Sequence, residues 1–260
     1  MKISIICPTY NSEKFIEKTL LSVFAQTRMA DELILVDDGS DDETIKILHK
    51  ISIEYGNFLS IKIFTQSHLG PGAARNKGIL QSTSDWVAFL DSDDIWYPEK
   101  LEIILDTVSE NPDINFISHD EMSVRVNGSE RLLAYSKRYK NNLAVKPQLY
   151  RSNFFSTSAV VCKKTLIINN GLFDESLMSA QDYELWLRIA DDMKPIVLDN
   201  VLGKYIERQG NISSNNLYSR FINDLYISFK HRQNLSLAIV MIRFIRIMGS
   251  YIKQLLKRML

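Results

Sequence analysis

The sequence carries no apolar run long enough to cross a bilayer. The opening stretch Met1 to Cys7 is apolar only as far as Pro8, too short for a signal-peptide core. The most apolar later segment, Leu237 to Met248, is interrupted by Arg243 and Arg246. Cysteine is scarce: Cys7 and Cys162 are the only two, and they sit in strand-like apolar runs without metal-ligand spacing. That reads as two buried thiols in a reducing compartment, so the expected location is cytoplasmic. Neither sign of charge is in excess, with 31 Lys plus Arg against 31 Asp plus Glu, so no whole-molecule field points to nucleic acid. Internal repeats, low-complexity segments, the glycine spacing of a dinucleotide fingerprint and the Lys-Ser ending of a phosphate-cradling loop are all missing. No Ser-His-Asp or Cys-His arrangement suggests a covalent nucleophile.

What is present is core-forming material: 45% hydrophobic and 10% aromatic residues over 260 positions, enough for one sizeable domain with an appendage. Short β-rich runs alternate with longer helical patterns. Strands are predicted over Lys2 to Cys7, Glu32 to Asp37, Leu59 to Thr65 and Trp86 to Leu90, with helices over Ser12 to Gln26, Asp42 to Tyr55 and Gly72 to Gln81. This is the βαβα rhythm of a mostly parallel α/β sheet. A helix follows Pro98, a strand runs from Ile114 to His119, and the polar stretch Asn127 to Lys146 reads as an excursion from the core. A β run over Thr157 to Cys162 precedes a helix near Asp182 with buried Leu185, Leu187 and Ile189, and the chain is helical from Asn215 on. The expected division is a domain over residues 1–214 and a basic helical region over 215–260.

Three polar clusters fall at strand ends, where parallel sheets bind ligands. Strand one ends in Pro8-Thr9-Tyr10-Asn11, strand two in Asp37-Asp38-Gly39-Ser40, and the fourth in Asp91-Ser92-Asp93-Asp94. Crowded carboxylates repel unless a cation or hydrogen bonds offset the cost, and aspartate oxygens suit Mn2+ or Mg2+. The plain alternative is that these aspartates cap helices and turns. Asp38 suits a ribose or a pyrimidine imide, while Asp-Gly is equally a turn signal. Gly70-Pro71-Gly72 begins a helix carrying Arg75 and Lys77, fit for a diphosphate or for an ordinary turn. Asp182 taken alone is a helix cap.

Five segments together resemble glycosyltransferase family 2 in order and spacing: Ile5 to Asn11, Leu35 to Ser40, Ala73 to Gly78, Phe89 to Asp94 and Gln181 to Trp186. The resemblance covers about the first four-fifths of the chain. It implies a GT-A fold and an inverting, metal-dependent hexosyltransferase. The enzyme would move a sugar from a nucleotide-diphosphate donor, a UDP-sugar, to an acceptor hydroxyl in bacterial surface-polysaccharide assembly. Residue by residue, it implies that Pro8, Thr9, Tyr10 and Asn11 line the nucleotide pocket and that Asp38 binds base or ribose. Arg75 would reach the phosphates, with His68, Ser92 and Arg208 also contacting substrate. Asp91 and Asp93 form an Asp-x-Asp motif, Asp93 being the direct ligand of Mn2+ or Mg2+, and Asp182 is the general base. Gln181 replaces the family's usual glutamate, His68 its asparagine, and Tyr205-Ile206-Glu207-Arg208 its usual flap pattern before Asn211-Ile212-Ser213. A sugar nucleotidyltransferase and a non-catalytic nucleotide-sugar-binding module are the competing readings. The first would need a Gly- and Arg-rich N-terminal phosphate loop, which is missing, and Asp182 argues against the second.

Beyond Asp224 there is no acidic residue, while Lys230, Arg232, Arg243, Arg246, Lys253, Lys257 and Arg258 follow. In a helix, Arg243, Arg246, Ser250, Lys253 and Lys257 share a face opposite Ile242, Ile245, Met248, Ile252 and Leu256. That pattern suits either an anionic membrane surface on the inner leaflet, near a lipid-linked or other glycan acceptor, or packing on the protein's own domain or on a second subunit.

Overall fold

The computed structural model describes residues 1–177, 179–208 and 217–259. A nine-stranded sheet forms from β1 (Ile3–Thr9), β2 (Glu32–Asp37), β3 (Ser60–Thr65), β4 (Trp86–Phe89), β5 (Ile95–Trp96), β6 (Phe116–Val124), β7 (Glu130–Leu133), β8 (Val161–Lys163) and β9 (Pro195–Ile206). The spatial order is β3-β2-β1-β4-β8-β6-β9-β5, with β7 paired to β6. The first four strands are mutually parallel, β8 turns antiparallel to β4 and β6, and β9 runs parallel to β6. Helices α1 (Ile16–Phe24), α2 (Thr44–Tyr55), α3 (Pro71–Gln81), α4 (Lys100–Glu110), α5 (Val145–Arg151), α6 (Lys164–Ile168), α7 (Gln181–Ile189), α8 (Leu217–Lys230) and α9 (Leu237–Met259) complete the chain.

Strands β1, β2 and β4 are buried along their whole length, which is why they read as unbroken apolar runs. The period of two then divides their side chains between two cores. Ile3, Ile5 and Cys7 face a core closed by Leu20 of α1, Leu48 of α2 and Ile104 of α4. Ile6, Val87 and Phe89 face the other core with Ile79 of α3, Leu149 of α5 and Trp186 of α7. Helix α3 lies so close to β1 that a Cβ on Gly78 would sit 2.6 Å from the Ile6 Cγ2, so only glycine fits there. Cys7 and Cys162 are both buried and free.

The parallel register aligns Thr9 with Asp37 and Ile6 with Phe89, so the polar residues that follow β1, β2 and β4 emerge on one rim. Asp42 accepts the Thr44 N–H at 2.9 Å and the Glu13 N–H at 3.1 Å, tying the start of α2 to the turn that precedes α1. Helix α1 begins later than predicted because Ser12 to Phe15 form that turn.

Several expectations are corrected. Strand β6 continues past His119 to Val124, because the polar residues that hid it are paired. Asp120 accepts from the Ser136 N–H and hydroxyl, both at 2.8 Å, and Glu121 from the Tyr135 hydroxyl at 3.2 Å. The stretch Asn127 to Lys146 therefore supplies β7 and the buried Tyr135 rather than a detached excursion. The run over Thr157 to Cys162 is a 3-10 turn over Thr157–Ala159 followed by β8. Strand β9 was not foreseen: it is partly exposed, carries Asp199 and Asn200, and shifts register against β6, which erases its alternation. Leu185, Leu187 and Ile189 are fully buried as predicted, and Trp186 lies buried among them.

Helix α8 docks on α7 through one fully buried carboxylate. Glu184 is met by Arg188 Nη2 at 2.7 Å and by Lys230 Nζ and His231 Nε2 at 3.0 Å each. Burial alone would raise its pKa, but these partners outweigh it and hold the carboxyl far below the usual range.

Glu32 binds β1, β2, β3 and the α3–β4 link, accepting from Ser4 at 2.5 Å, Lys62 at 2.6 Å and the Thr83 N–H at 2.5 Å. Burial opposes its charge, yet these bonds bring its pKa from 4.5 down to about 2. A depressed carboxylate contributes its full stability above the unfolded pKa and loses it as pH falls from about 4.5 towards 2. Glu32→Gln is expected to cost about 2–3 kcal/mol at neutral pH and to flatten the loss of stability between about pH 5 and 2. Urea unfolding from neutral pH down through that range measures both effects, and parallel curves for the two proteins would refute the assignment.

Candidate active site

At the rim a cavity of about 570 Å³ opens, within the usual range for small-molecule sites. Pro8, Thr9, Asp38, Arg75, Asp91, Ser92, Asp93, Asp182 and Arg208 line it. Three other expected contacts, Tyr10, Asn11 and His68, are not among its lining. Tyr10 stacks on His68 at 4.0 Å between ring centres, and Asn11 accepts the Asp41 N–H through its side chain at 3.0 Å. Asn211-Ile212-Ser213 lies outside the described residues.

The acids of the rim are treated differently. Asp37 folds the turn after β2, accepting the Ser40 hydroxyl at 2.6 Å and its N–H at 2.9 Å. Asp38, 2% exposed, accepts Gln66 Nε2 at 2.8 Å, the Leu69 N–H at 2.9 Å and the Gly70 N–H at 2.8 Å. His68 Nδ1 adds a contact at 2.9 Å. This carboxylate organises the loop before α3, where Gly70 takes a φ of 95° that a larger residue resists.

Asp91 and Asp93 are instead met by arginines. Arg75 Nη2 lies 2.5 Å from Asp91 Oδ1, and Arg208 Nε lies 2.5 Å from Asp93 Oδ2. Arg75 is buried beside the Phe173 ring, and Arg208 sits over Phe15 at 4.9 Å. Burial, helped by Asp91 and opposed by Arg208, raises the Asp93 pKa above its ordinary value. Asp182, in the first turn of α7, is raised by burial and by Asp91, against the Tyr183 N–H and Arg75. Ala180 before it adopts a left-handed φ of 59°, which turns the chain into the helix at the cavity wall. Gln181 is buried, donates to the Leu177 carbonyl at 2.5 Å and lies beside Gly72 at the start of α3, where a Cβ would meet its Cγ at 3.5 Å.

Among the described residues no group of three or more His, Cys, Asp and Glu is arranged as a closed metal cage. The oxygen donors of Asp91 and Asp93 nevertheless fit a hard divalent cation, which is commonly held by one or two carboxylates plus substrate phosphates. Burial and the neighbouring Asp91 lift Asp93, and a bound cation would offset both costs.

Motif reading missed the far wall. Tyr135 and Arg138 follow β7, Asn153 to Thr157 precede β8, and Arg220 and Asp224 come from α8. Tyr205, at the end of β9, was noted only as a flap position. Those segments carry no motif, and only sheet pairing and the docking of α8 bring them to the rim.

The sequence from residue 4 to 169 matches the model of Glycosyl transferase family 2. The chain belongs to glycosyltransferase family 2. An uncharacterized glycosyltransferase of Rickettsia conorii is 31% identical over 87% of this chain, which spans only 38% of that relative's length. The amylovoran biosynthesis glycosyltransferase AmsE of Erwinia amylovora is 32% identical over 77% of this chain and 74% of its own. The crystal structure of S. aureus TarS 1-349 in complex with UDP-GlcNAc superposes with a TM-score of 0.74 at 25% identity, covering 92% of this chain and 69% of that one. The family's α/β fold of flanked, mostly parallel strands is thus the fold observed here.

Since Arg75 lowers and Asp91 raises the Asp182 pKa, replacing Arg75 by Gln moves that pKa further up. Carboxyl 13C NMR of aspartate-labelled protein, with no metal or nucleotide added, is expected to show a midpoint for Asp182 above the ordinary 3.8, and higher again in Arg75→Gln. A midpoint at or below 3.8 would contradict the described surroundings.

Proposed function

We propose that this chain is an inverting glycosyltransferase that moves a sugar from a UDP-sugar to an acceptor hydroxyl during bacterial surface-polysaccharide assembly, with Mn2+ or Mg2+ as cofactor. One observation carries the reading: Asp182 shares a cavity with Asp91 and Asp93, and the charge of Arg75 acts on both Asp91 and Asp182. A proton acceptor and an anion-handling group therefore lie within reach of one bound donor. Kinship with AmsE supports a polysaccharide pathway, and the UDP-GlcNAc-bound TarS structure supports a UDP-sugar.

In this reading Asp182 takes the proton of the acceptor hydroxyl as its oxygen attacks the anomeric carbon. The bond from that carbon to the diphosphate oxygen breaks, its electron pair leaving on the nucleoside diphosphate. The new glycosidic bond forms on the opposite face, hence inversion. The raised pKa of Asp182 suits a base that must hold the proton it receives. Arg75 and Arg208 face the diphosphate, and Thr9, Asp38 and the loop it orders flank the nucleoside. Asp93 and Asp91 would hold the divalent cation, which when bound supplies positive charge against the leaving diphosphate.

Release of nucleoside diphosphate from a panel of nucleotide sugars, with and without Mn2+, tests this reading. Metal-dependent release from one donor is expected, lost in Asp93→Ala, and with acceptor present Asp182→Ala should slow transfer about 10²–10⁴-fold. Silence across the panel together with absent metal-dependent nucleotide binding would overturn it.

We further propose that residues 1–214 form the catalytic domain, with Arg220 and Asp224 of α8 completing its cavity wall, and that the C-terminal helices rest on an anionic membrane surface, where a lipid-linked acceptor would lie. No helix among the described residues is long and apolar enough to cross a membrane. Arg243 is turned inward, bonded to Asp224 at 2.7 Å, while Ile245, Met248 and Ile252 are 67%, 44% and 50% exposed. An apolar stripe beside basic residues suits the lipid boundary. Ile245→Glu with Ile252→Glu is expected to abolish sedimentation with anionic liposomes at unchanged Tm, and undiminished sedimentation would refute docking.

A further inference from the structure

The last acid of the Asp-Ser-Asp-Asp run has no part in the proposed chemistry. Asp94 is 1% exposed and turned away from the cavity. Its Oδ2 accepts the Ser158 hydroxyl at 2.5 Å, and its Oδ1 accepts the Ile206 N–H at 3.0 Å. The same Ser158 oxygen accepts the Asp91 N–H at 3.0 Å. Ser158 is itself immobilised, since its carbonyl accepts Lys100 Nζ at 2.6 Å and Trp96 Nε1 at 3.1 Å. Lys100 is fully buried and lies over the Trp96 ring at 3.8 Å. On the other side of the run, the Ser92 carbonyl accepts the Thr19 hydroxyl at 3.0 Å, and its hydroxyl lies 2.7 Å from that of Ser12.

Two hydrogen bonds thus join three segments that meet nowhere in sequence: the Asp91–Asp94 loop, the 3-10 turn at Ser158, and the end of β9. The last of these leads to Arg208, which pairs with Asp93. A carboxyl group this deeply buried would be costly without such partners, so the bonds it makes define what it does.

We propose that Asp94 and Ser158 are positioning residues that set Asp91 and Asp93 in register with the strand end carrying Arg208, so that the donor diphosphate and its cation meet a preformed site. This rests on the reading of Asp91 and Asp93 given above. Ser158→Ala removes both the donor to Asp94 and the acceptor for Asp91. Asp94→Asn keeps the shape and an acceptor for Ile206 while replacing the oxygen that takes the Ser158 hydroxyl by an NH2 donor.

Calorimetry of UDP binding at graded Mn2+ reads the effect without turnover. Each variant is expected to raise the half-saturating Mn2+ concentration about tenfold, the size of one lost hydrogen bond. The double variant should be no weaker than the worse single one, because the pair acts as a unit. If both variants merely lower Tm and leave the Mn2+ dependence within twofold of the unmodified chain, or if their effects add, the proposal is overturned. Asp93→Ala, measured alongside, separates the two claims. Loss of Mn2+-dependent binding there with no effect of Asp94→Asn sinks only the positioning role, whereas unchanged binding in Asp93→Ala sinks the site reading beneath it.

Discussion

Negative charge gathered at one edge of a parallel sheet is the constraint around which the rest of this molecule is arranged. The parallel register brings the ends of β1, β2 and β4 together, and five aspartates come with them. Each is answered in its own way. Asp37, Asp38 and Asp94 are held by backbone N–H groups and short side chains of neighbouring loops, contacts that fix geometry as well as charge. Asp91 and Asp93 are answered by the guanidinium groups of Arg75 and Arg208. An arginine can exchange one oxyanion for another, carboxylate for phosphate, with little change in its own bonding. The fixed acids shape the cavity, and the arginine-paired ones face it.

The same economy of buried charge organises the C-terminal part. Glu184, two residues beyond Asp182, has no exposure and draws Arg188, Lys230 and His231 to itself. Helix α8 is thereby pressed on the helix that carries the proposed base, and its Arg220 and Asp224 become part of the cavity wall. Tyr150 adds a neutral tie, its hydroxyl donating to the Ser228 carbonyl at 2.8 Å. With Arg243 bonded to Asp224, the side of α9 that meets the protein is partly ionic, and its apolar stripe is left facing outward. Helical periodicity alone would have assigned those two faces the other way round.

The sequence by itself determined the first half of the sheet, the five motifs and the family. Strands buried on both faces must be apolar throughout, helices between them must repeat every three or four residues, and both patterns are local enough to read. It also marked Asp91, Asp93, Arg75, Asp182 and Arg208, all of which line one cavity. Tertiary structure decided what each polar residue does there. Whether an aspartate ties a loop, as Asp38 and Asp94 do, or faces a ligand cavity, as Asp93 does, depends on which N–H groups and cations the fold brings within 3 Å. Strand β9, the inward wall from Tyr135 to Thr157 and the docking of α8 were likewise settled only by pairing across long stretches of chain. The side chains of β9 and of that wall show no clear period because neighbours distant in sequence, rather than one face of one element, set their burial.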